Sequence, residues 1–317
     1  MRPPEELLRT LRAQERFVLA THENPEGDAL GSTLALAEAL RARGKQVMMF
    51  LAEPVPELYH FLPGWAGFSQ VLPPDVSAWV LVLLDCGAPG RAGLKGASEF
   101  RCSVVIDHHA TEQSFGDVRW VEPQAPATGL MVYELLKALG HRPSPQAAQC
   151  LYTAVAIDTG IFRYGNTTAE VLRAAAELVE LGARPAEVAQ SLYESWPERK
   201  LRLLARALAS LELRDDLAVL TVTQEDLKST GTTLQDVENF TAFARMLKAA
   251  QRVALLVELE GGVVKASLRS RADGDVKTVA EAFGGGGHRS AAGFKMRGSL
   301  SEVKRALLER MLRPASP

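Results

Sequence analysis

Short runs of aliphatic and β-branched residues recur along the first half of the chain, and each breaks off at a polar turn: RFVLAT into HENPEGDALGS, WVLVLL into DCGAPG, and SVVI into DHHAT. Apolar residues spaced three and four apart fill the stretches between them. This periodicity predicts helices over 4–15, 29–43, 128–139, 145–157 and 168–181, and strands over 16–21, 46–51, 78–84 and 103–106. Strand-like and helix-like segments alternating in this way predict an α/β fold built on a doubly wound parallel sheet. From Ala186 to Leu213 the pattern is helical and charged, a connector in which Pro197 starts or kinks a helix. Beyond Arg214, LAVLTVT, VALLVELEGGVVKASLRS and FKMRG alternate like exposed antiparallel strands, with a hairpin turn at 261–262. Helices near 233–249, 276–282 and 300–312 would cover one face of them. The expected organisation is an α/β domain over 1–185, a helical connector over 186–213 and a smaller α+β domain over 214–317.

Composition narrows the setting. The chain has 317 residues, 47% of them hydrophobic, enough to fill two cores. A formal net charge of −2 excludes a global basic field for long nucleic acid and leaves only local basic clusters. Cys86, Cys102 and Cys150 stand far apart in apolar surroundings and read as buried thiols of a reducing compartment. No segment reaches the roughly 18 apolar residues of a membrane span, and the amino terminus has no apolar signal core. The expectation is a cytoplasmic protein with no membrane partner.

Candidate chemistry sits at the ends of the apolar runs. His22, Glu26 and Asp28 follow the first, Asp85 the second, Asp107, His108 and His109 the third, and YTAVAIDTGIF adds Asp158 as a fourth. In open parallel sheets the carboxyl ends of strands collect ligand-binding groups. A lone Asp after a strand is commonly a helix cap; four run ends that all carry carboxylates or imidazoles predict one shared site. That donor set suits a hard divalent ion, manganese or magnesium. Pro25 and Gly27 can fold the two acids of HENPEGD back toward His22, and the helix that follows directs its positive end at any bound phosphate. His108 and His109 cannot face the same way from a regular strand, so one would bind metal and the other substrate.

The ordered set HENPEGDA, Asp85 in LLDCGAPGR, Asp107-His108-His109, Asp158 and, far downstream, GGGGH at 284–288 resembles the DHH/DHHA1 phosphoesterase family. Within it the pattern is most similar to the branch of bifunctional oligoribonucleases and adenosine-3′,5′-bisphosphate phosphatases, and the likeness covers nearly the whole chain. The resemblance implies two divalent ions, one held by His22, Glu26 and Asp85, the other by Asp28, Asp85, His108 and Asp158. It implies Asp107 as the support of a neighbouring imidazole and His109 as the group that faces the phosphate or the leaving oxygen. Glu26 departs from the family, which usually has Asp there; the longer side chain would shift or weaken the first ion.

The carboxy-terminal domain carries the substrate side of that resemblance. AFGGGGHRSAAGF removes side chains at Gly285, Gly286 and Gly287, which lets backbone amides approach an anion, and then offers His288 and Arg289. A structural glycine turn is the competing reading. SLRSR adds Arg269, Ser270 and Arg271, whose guanidiniums suit bidentate phosphate capture, and Arg91 matches a family position near the second acid. Metals on one domain and a phosphate pocket on the other imply short RNA oligonucleotides and small nucleotides as partners, with room left for a homodimer. Rival readings are a linear dinucleotide phosphodiesterase, a manganese pyrophosphatase or exopolyphosphatase, and a nucleotide-binding regulator inactivated at Glu26. Thr128 reads as a helix cap, and Trp65, Trp79, Trp120 and Trp196 as packing residues.

Overall fold

The computed structural model describes residues 1–110, 114–271 and 274–312, with all of their side chains except that of His288. The chain divides into two compact units, Met1–Ser195 and Trp196–Pro317.

The first unit runs α1 (Glu5–Ala13), β1 (Arg16–Ala20), α2 (Gly27–Ala42), β2 (Gln46–Phe50), β3 (Phe68–Ser69), β4 (Val80–Leu84), β5 (Cys102–Asp107), β6 (Val118–Val121), α3 (Thr128–Ala138), α4 (Pro145–Asp158), α5 (Ala169–Glu180) and α6 (Pro185–Tyr193). Its six strands form one all-parallel sheet in the order β3-β2-β1-β4-β5-β6. The chain works outward from β1 to β3, returns to β4 beside β1, and works outward again, so a topological switch point lies between β1 and β4. Alternate residues serve two cores. Phe17, Leu19, Val80, Val82, Val104 and Ile106 join the large helix-covered core. Val18, Leu81, Leu83 and Val105 join a smaller one with Cys86, Ala92, Leu94 and Phe100, supplied by short turns rather than full helices.

Local signals fix the helices. Ser144 and Thr168 cap α4 and α5 by accepting from Ala147 N and Val171 N at 3.1 and 3.3 Å. The helices α2 and α4 are apolar almost all round because both are buried. They approach so closely that a Cβ at Gly31 would collide with the Cys150 carbonyl oxygen. Among the described residues no helix is long and apolar enough to cross a membrane.

The second unit runs α7 (Glu198–Ala209), β7 (Glu212–Arg214), β8 (Leu217–Val222), α8 (Gln224–Thr230), α9 (Phe240–Ala244), β9 (Arg252–Leu259), β10 (Val263–Ser270), α10 (Lys277–Ala282), β11 (Gly286–His288), β12 (Ala291–Arg297) and α11 (Leu300–Leu312). Its sheet has the order β11-β12-β10-β9-β8-β7. Three expectations are corrected here. The strands are not uniformly antiparallel, since β8 and β9 pair in parallel. Nor is one face exposed: Leu220 and Leu255 pack with α7 and α9, Leu256 and Leu268 with α10 and α11. The helix expected over 233–249 is broken into a 3-10 turn (Leu234–Val237) and α9, because Asn239 adopts a left-handed φ of 72° that no helix continues. The hairpin at Gly261 and Gly262 forms as expected, both with positive φ. Pro197 is the residue that precedes α7.

Replacing Gly31 by Ala is expected to destabilise the protein by about 1–3 kcal/mol through overpacking of α2 on α4. Gly165→Ala, where a Cβ meets nothing within 4 Å, serves as the control and should leave the urea midpoint within about 0.5 kcal/mol of the parent.

Candidate metal centre

The loops after β1, β4 and β5 meet at the switch point. Glu23 N donates to Arg91 O at 2.7 Å, tying the first loop to the second, and Asp85 N donates to Ile106 O at 2.9 Å, tying the second to β5. Asp85 itself sits at a left-handed φ of 56°, a strained setting for a residue with a side chain, and such strain gathers at functional sites.

Six of the eight residues singled out in the first half converge on one cluster, and Asp107 supports it. His22 Nε2 lies 3.5 Å from Asp85 Oδ2. His108 Nε2 lies 3.1 Å from Asp158 Oδ2, 3.5 Å from Asp85 Oδ1 and 3.8 Å from Asp28 Oδ2. His109 Nδ1 stands 3.4 Å from Asp85 Oδ1 and 2.8 Å from Asp107 Oδ1. Two donor groups are close enough to share an ion: Asp85, His108 and His109, and Asp28, His108 and Asp158. Glu26, the residue before α2, is exposed and belongs to neither group. One expectation is corrected: Asp158 does not follow a strand. YTAVAI is the last part of α4, and Asp158 arrives at the cluster as that helix's final residue.

Each imidazole is set by a contact on its other side. His22 Nδ1 is 2.8 Å from Glu23 O and His108 Nδ1 is 3.1 Å from Ala125 O, so both rings keep a proton there and present Nε2 to the carboxylates. His108 Nε2 is buried between three carboxylates yet aligned with none as a hydrogen bond, and Asp107 Oδ2 is likewise buried without a hydrogen bond. Asp28 is fully buried; it accepts from Thr128 N and Gly129 N, both at 2.7 Å, and from Ser32 Oγ at 3.2 Å. A carboxylate from α2 thus caps the N-terminus of α3. Thr128 is not its own helix's cap; its hydroxyl donates to Asp85 Oδ1 at 3.0 Å.

Burial, together with Asp85 and Asp158, holds the Asp28 carboxyl well above the usual range. For Asp85 burial also pushes upward, but the three imidazoles outweigh it and lower its pKa. Burial opposes charge on His108; Asp158, Asp28 and Asp85 overcome it and raise the ring to about 10. His22 moves up for the same reason, through Asp85. Three crowded carboxylates, imidazoles with Nε2 turned inward and a buried nitrogen aimed between acids are a donor set that fits a hard divalent ion, whose charge would relieve the repulsion around Asp28.

In the second unit the substrate candidates are placed differently. Arg269 Nη1 donates to Leu268 O at 3.0 Å, and buried Ser270 Oγ donates to Gly274 O at 2.8 Å. Arg271 Nη2 binds the carbonyls of Arg245 and Leu247 just past α9, so its guanidinium serves the fold. Gly285 and Gly287 are required by packing, since a Cβ at either would strike the backbone of β12, whereas a Cβ at Gly286 would meet nothing within 4 Å. Arg289 is exposed, and the His288 side chain lies outside the described residues. Arg91 is exposed; its carbonyl accepts from Glu23 N, and its charge opposes the rise in the pKa of His22. Ser32 is a supporting residue that the sequence leaves unassigned, and Thr128, which reads from the helix start PATG as a cap, supports Asp85 instead.

A doubly wound α/β unit with a cluster of groups that could hold a metal ion at its switch point, followed by a mixed-sheet unit, defines the class of protein. The chain belongs to the DHH family: residues 16–155 match the DHH family N-terminal domain, and residues 235–313 match the DHHA1 domain. It is 35% identical over 295 residues to the bifunctional oligoribonuclease and PAP phosphatase NrnA of Thermus thermophilus, a match that covers 92% of this chain and 87% of that protein. Identity to the Bacillus subtilis protein of the same description is 26%, with 96% of each chain covered. An exopolyphosphatase-related protein from Bacteroides fragilis has the same fold, with a TM-score of 0.89 at 24% identity over 96% of this chain and 95% of that one.

Thr128→Val should weaken divalent-ion affinity about 10- to 100-fold by titration calorimetry, as loss of ligand support does elsewhere, while Thr128→Ser keeps it. Ion binding must also displace the His108 proton. Affinity is therefore expected to rise as pH climbs toward about 10 and to fall steadily below it; a pH-independent affinity would contradict this arrangement.

Proposed function

We propose that this chain is a metal-dependent phosphoesterase that degrades very short RNA oligonucleotides to mononucleotides and removes the 3′-phosphate of adenosine 3′,5′-bisphosphate. The observation that carries the reading is the convergence of His22, Asp28, Asp85, His108, His109 and Asp158 at the switch point. The Thermus relative, described as an oligoribonuclease and PAP phosphatase and alike over nearly the whole chain, supports the choice of substrates. A composition without a basic field agrees with short substrates, because affinity for long strands is built from many phosphate contacts.

Two divalent ions, manganese or magnesium, fit the reading. Asp28, His108 and Asp158 would hold one; His22, Asp85 and Glu26 would hold the other, with Asp85 shared. Bound ions supply Lewis-acid polarisation of the phosphate and make water at the site more acidic. The protein's own groups do the rest. The carbonyls of Glu23 and Ala125 fix the tautomers of His22 and His108. Asp107 accepts from both the backbone N and the Nδ1 of His109, at 3.0 and 2.8 Å, which fixes the orientation of that ring. His109 is 30% exposed, so a proton at its Nε2 can pass to the leaving oxygen. Arg269 and the Gly284–Gly287 turn with His288 would bind the far end of the substrate.

Incubated with manganese and a five-nucleotide RNA, the protein is expected to release mononucleotides, and Asp85→Ala should lower that rate about 100-fold or more. Release of phosphate from pyrophosphate with RNA left intact would overturn the reading in favour of a pyrophosphatase. Glu26→Asp should tighten ion binding or leave turnover similar, and loss of turnover would remove Glu26 from the ligand set.

A further inference from the structure

The chain beyond Asp158 takes an uncommon path. Gly160, Ile161 and Phe162 have φ of 58°, 55° and 58°, three successive left-handed residues of which two carry side chains and one is β-branched. Such a turn persists only when its surroundings over-determine it. Here Thr159 does so: its hydroxyl donates to Val155 O at 2.7 Å and accepts from Phe162 N at 3.2 Å, and its carbonyl accepts from Arg163 N and Tyr164 N at 3.0 and 2.9 Å. Arg163 Nε closes the turn on Gly160 O at 2.7 Å. Asn166 Nδ2 reaches both Asp158 O and Pro126 O, at 3.1 and 3.2 Å, binding the turn to the loop that leads into α3.

The consequence is the placement of one aromatic ring. A Cβ at Gly160 would collide with Cε1, Cζ and Cε2 of Tyr164, so the ring lies across a glycine two residues past Asp158. Tyr164 remains 47% exposed. Phe162, by contrast, packs against Tyr152 with ring centroids 5.7 Å apart. Phe162 is thus turned inward, whereas Tyr164 keeps nearly half of its surface exposed on a turn that Asn166 ties to Asp158 O.

We propose that Tyr164, seated on Gly160, is the shelf on which the base of the nucleotide at the reacting phosphate stacks. The inference rests on the phosphoesterase reading above and assigns that site a specificity element. A stacked base is held through its π face, whichever base it is, so the shelf accepts any short RNA while setting the distance from base to scissile phosphate. The rigid turn fixes that distance relative to Asp158.

The test is steady-state kinetics of the full chain with manganese on di-adenylate, and on di-adenylate made abasic at either position. Tyr164→Ala is expected to raise KM for di-adenylate about tenfold with kcat within about twofold, and Tyr164→Phe to restore it, because stacking needs the ring and not the hydroxyl. On one of the two abasic dinucleotides the parent and Tyr164→Ala should have the same KM. An unchanged KM in Tyr164→Ala, or the same rise on both abasic substrates, overturns the shelf while leaving the phosphoesterase reading intact. Failure of the parent to cleave di-adenylate at all overturns both.

Discussion

Three carboxylates are brought within reach of one imidazole in a space that excludes most water, and the structure around them is arranged to tolerate that charge. Asp28 is the extreme case, fully buried with Asp85 and Asp158 acting on it. Its counterweights are the first two amides of α3 and the His108 ring. The start of α3 is therefore fixed by the cluster, and the cluster by α3, since an uncapped helix end and an unaccompanied buried carboxylate would each be costly alone. The left-handed backbone at Asp85 and the tie from Glu23 to Arg91 bring the loops to the same point.

Much of this was legible in the sequence because parallel strands buried on both faces leave unbroken apolar runs. The strands β1, β4 and β5 are legible in that way, and the acids and histidines at their ends, Glu26 excepted, lie together in the structure. Asp158 differs from the others in that it ends a helix, the one expected over 145–157, and not a strand. The stretch YTAVAI is as apolar and β-branched as a strand because that helix is so deeply buried that it shows no polar face. Short strands such as β3, β6 and β11 fall below the length at which periodicity is informative. Thr128 was noticed as a helix start, but its bond to Asp85 spans 43 positions in sequence and only the fold reveals it.

The glycine-rich segment of the second unit shows how two explanations can share one motif. Gly285 and Gly287 are needed where β11 meets β12, so half of the run answers to packing. Gly286 has no such requirement, and the reading of the run as an anion cradle rests on that position and on its neighbours. Arg271, which looks from sequence like a phosphate ligand, holds the carbonyls past α9.

Every group of the cluster lies between His22 and Asp158, inside a unit that has its own sheet and its own apolar interior. Vectorial synthesis delivers that unit first. A nascent chain still attached to the ribosome can thus have every donor group of the cluster assembled before the mixed sheet is translated.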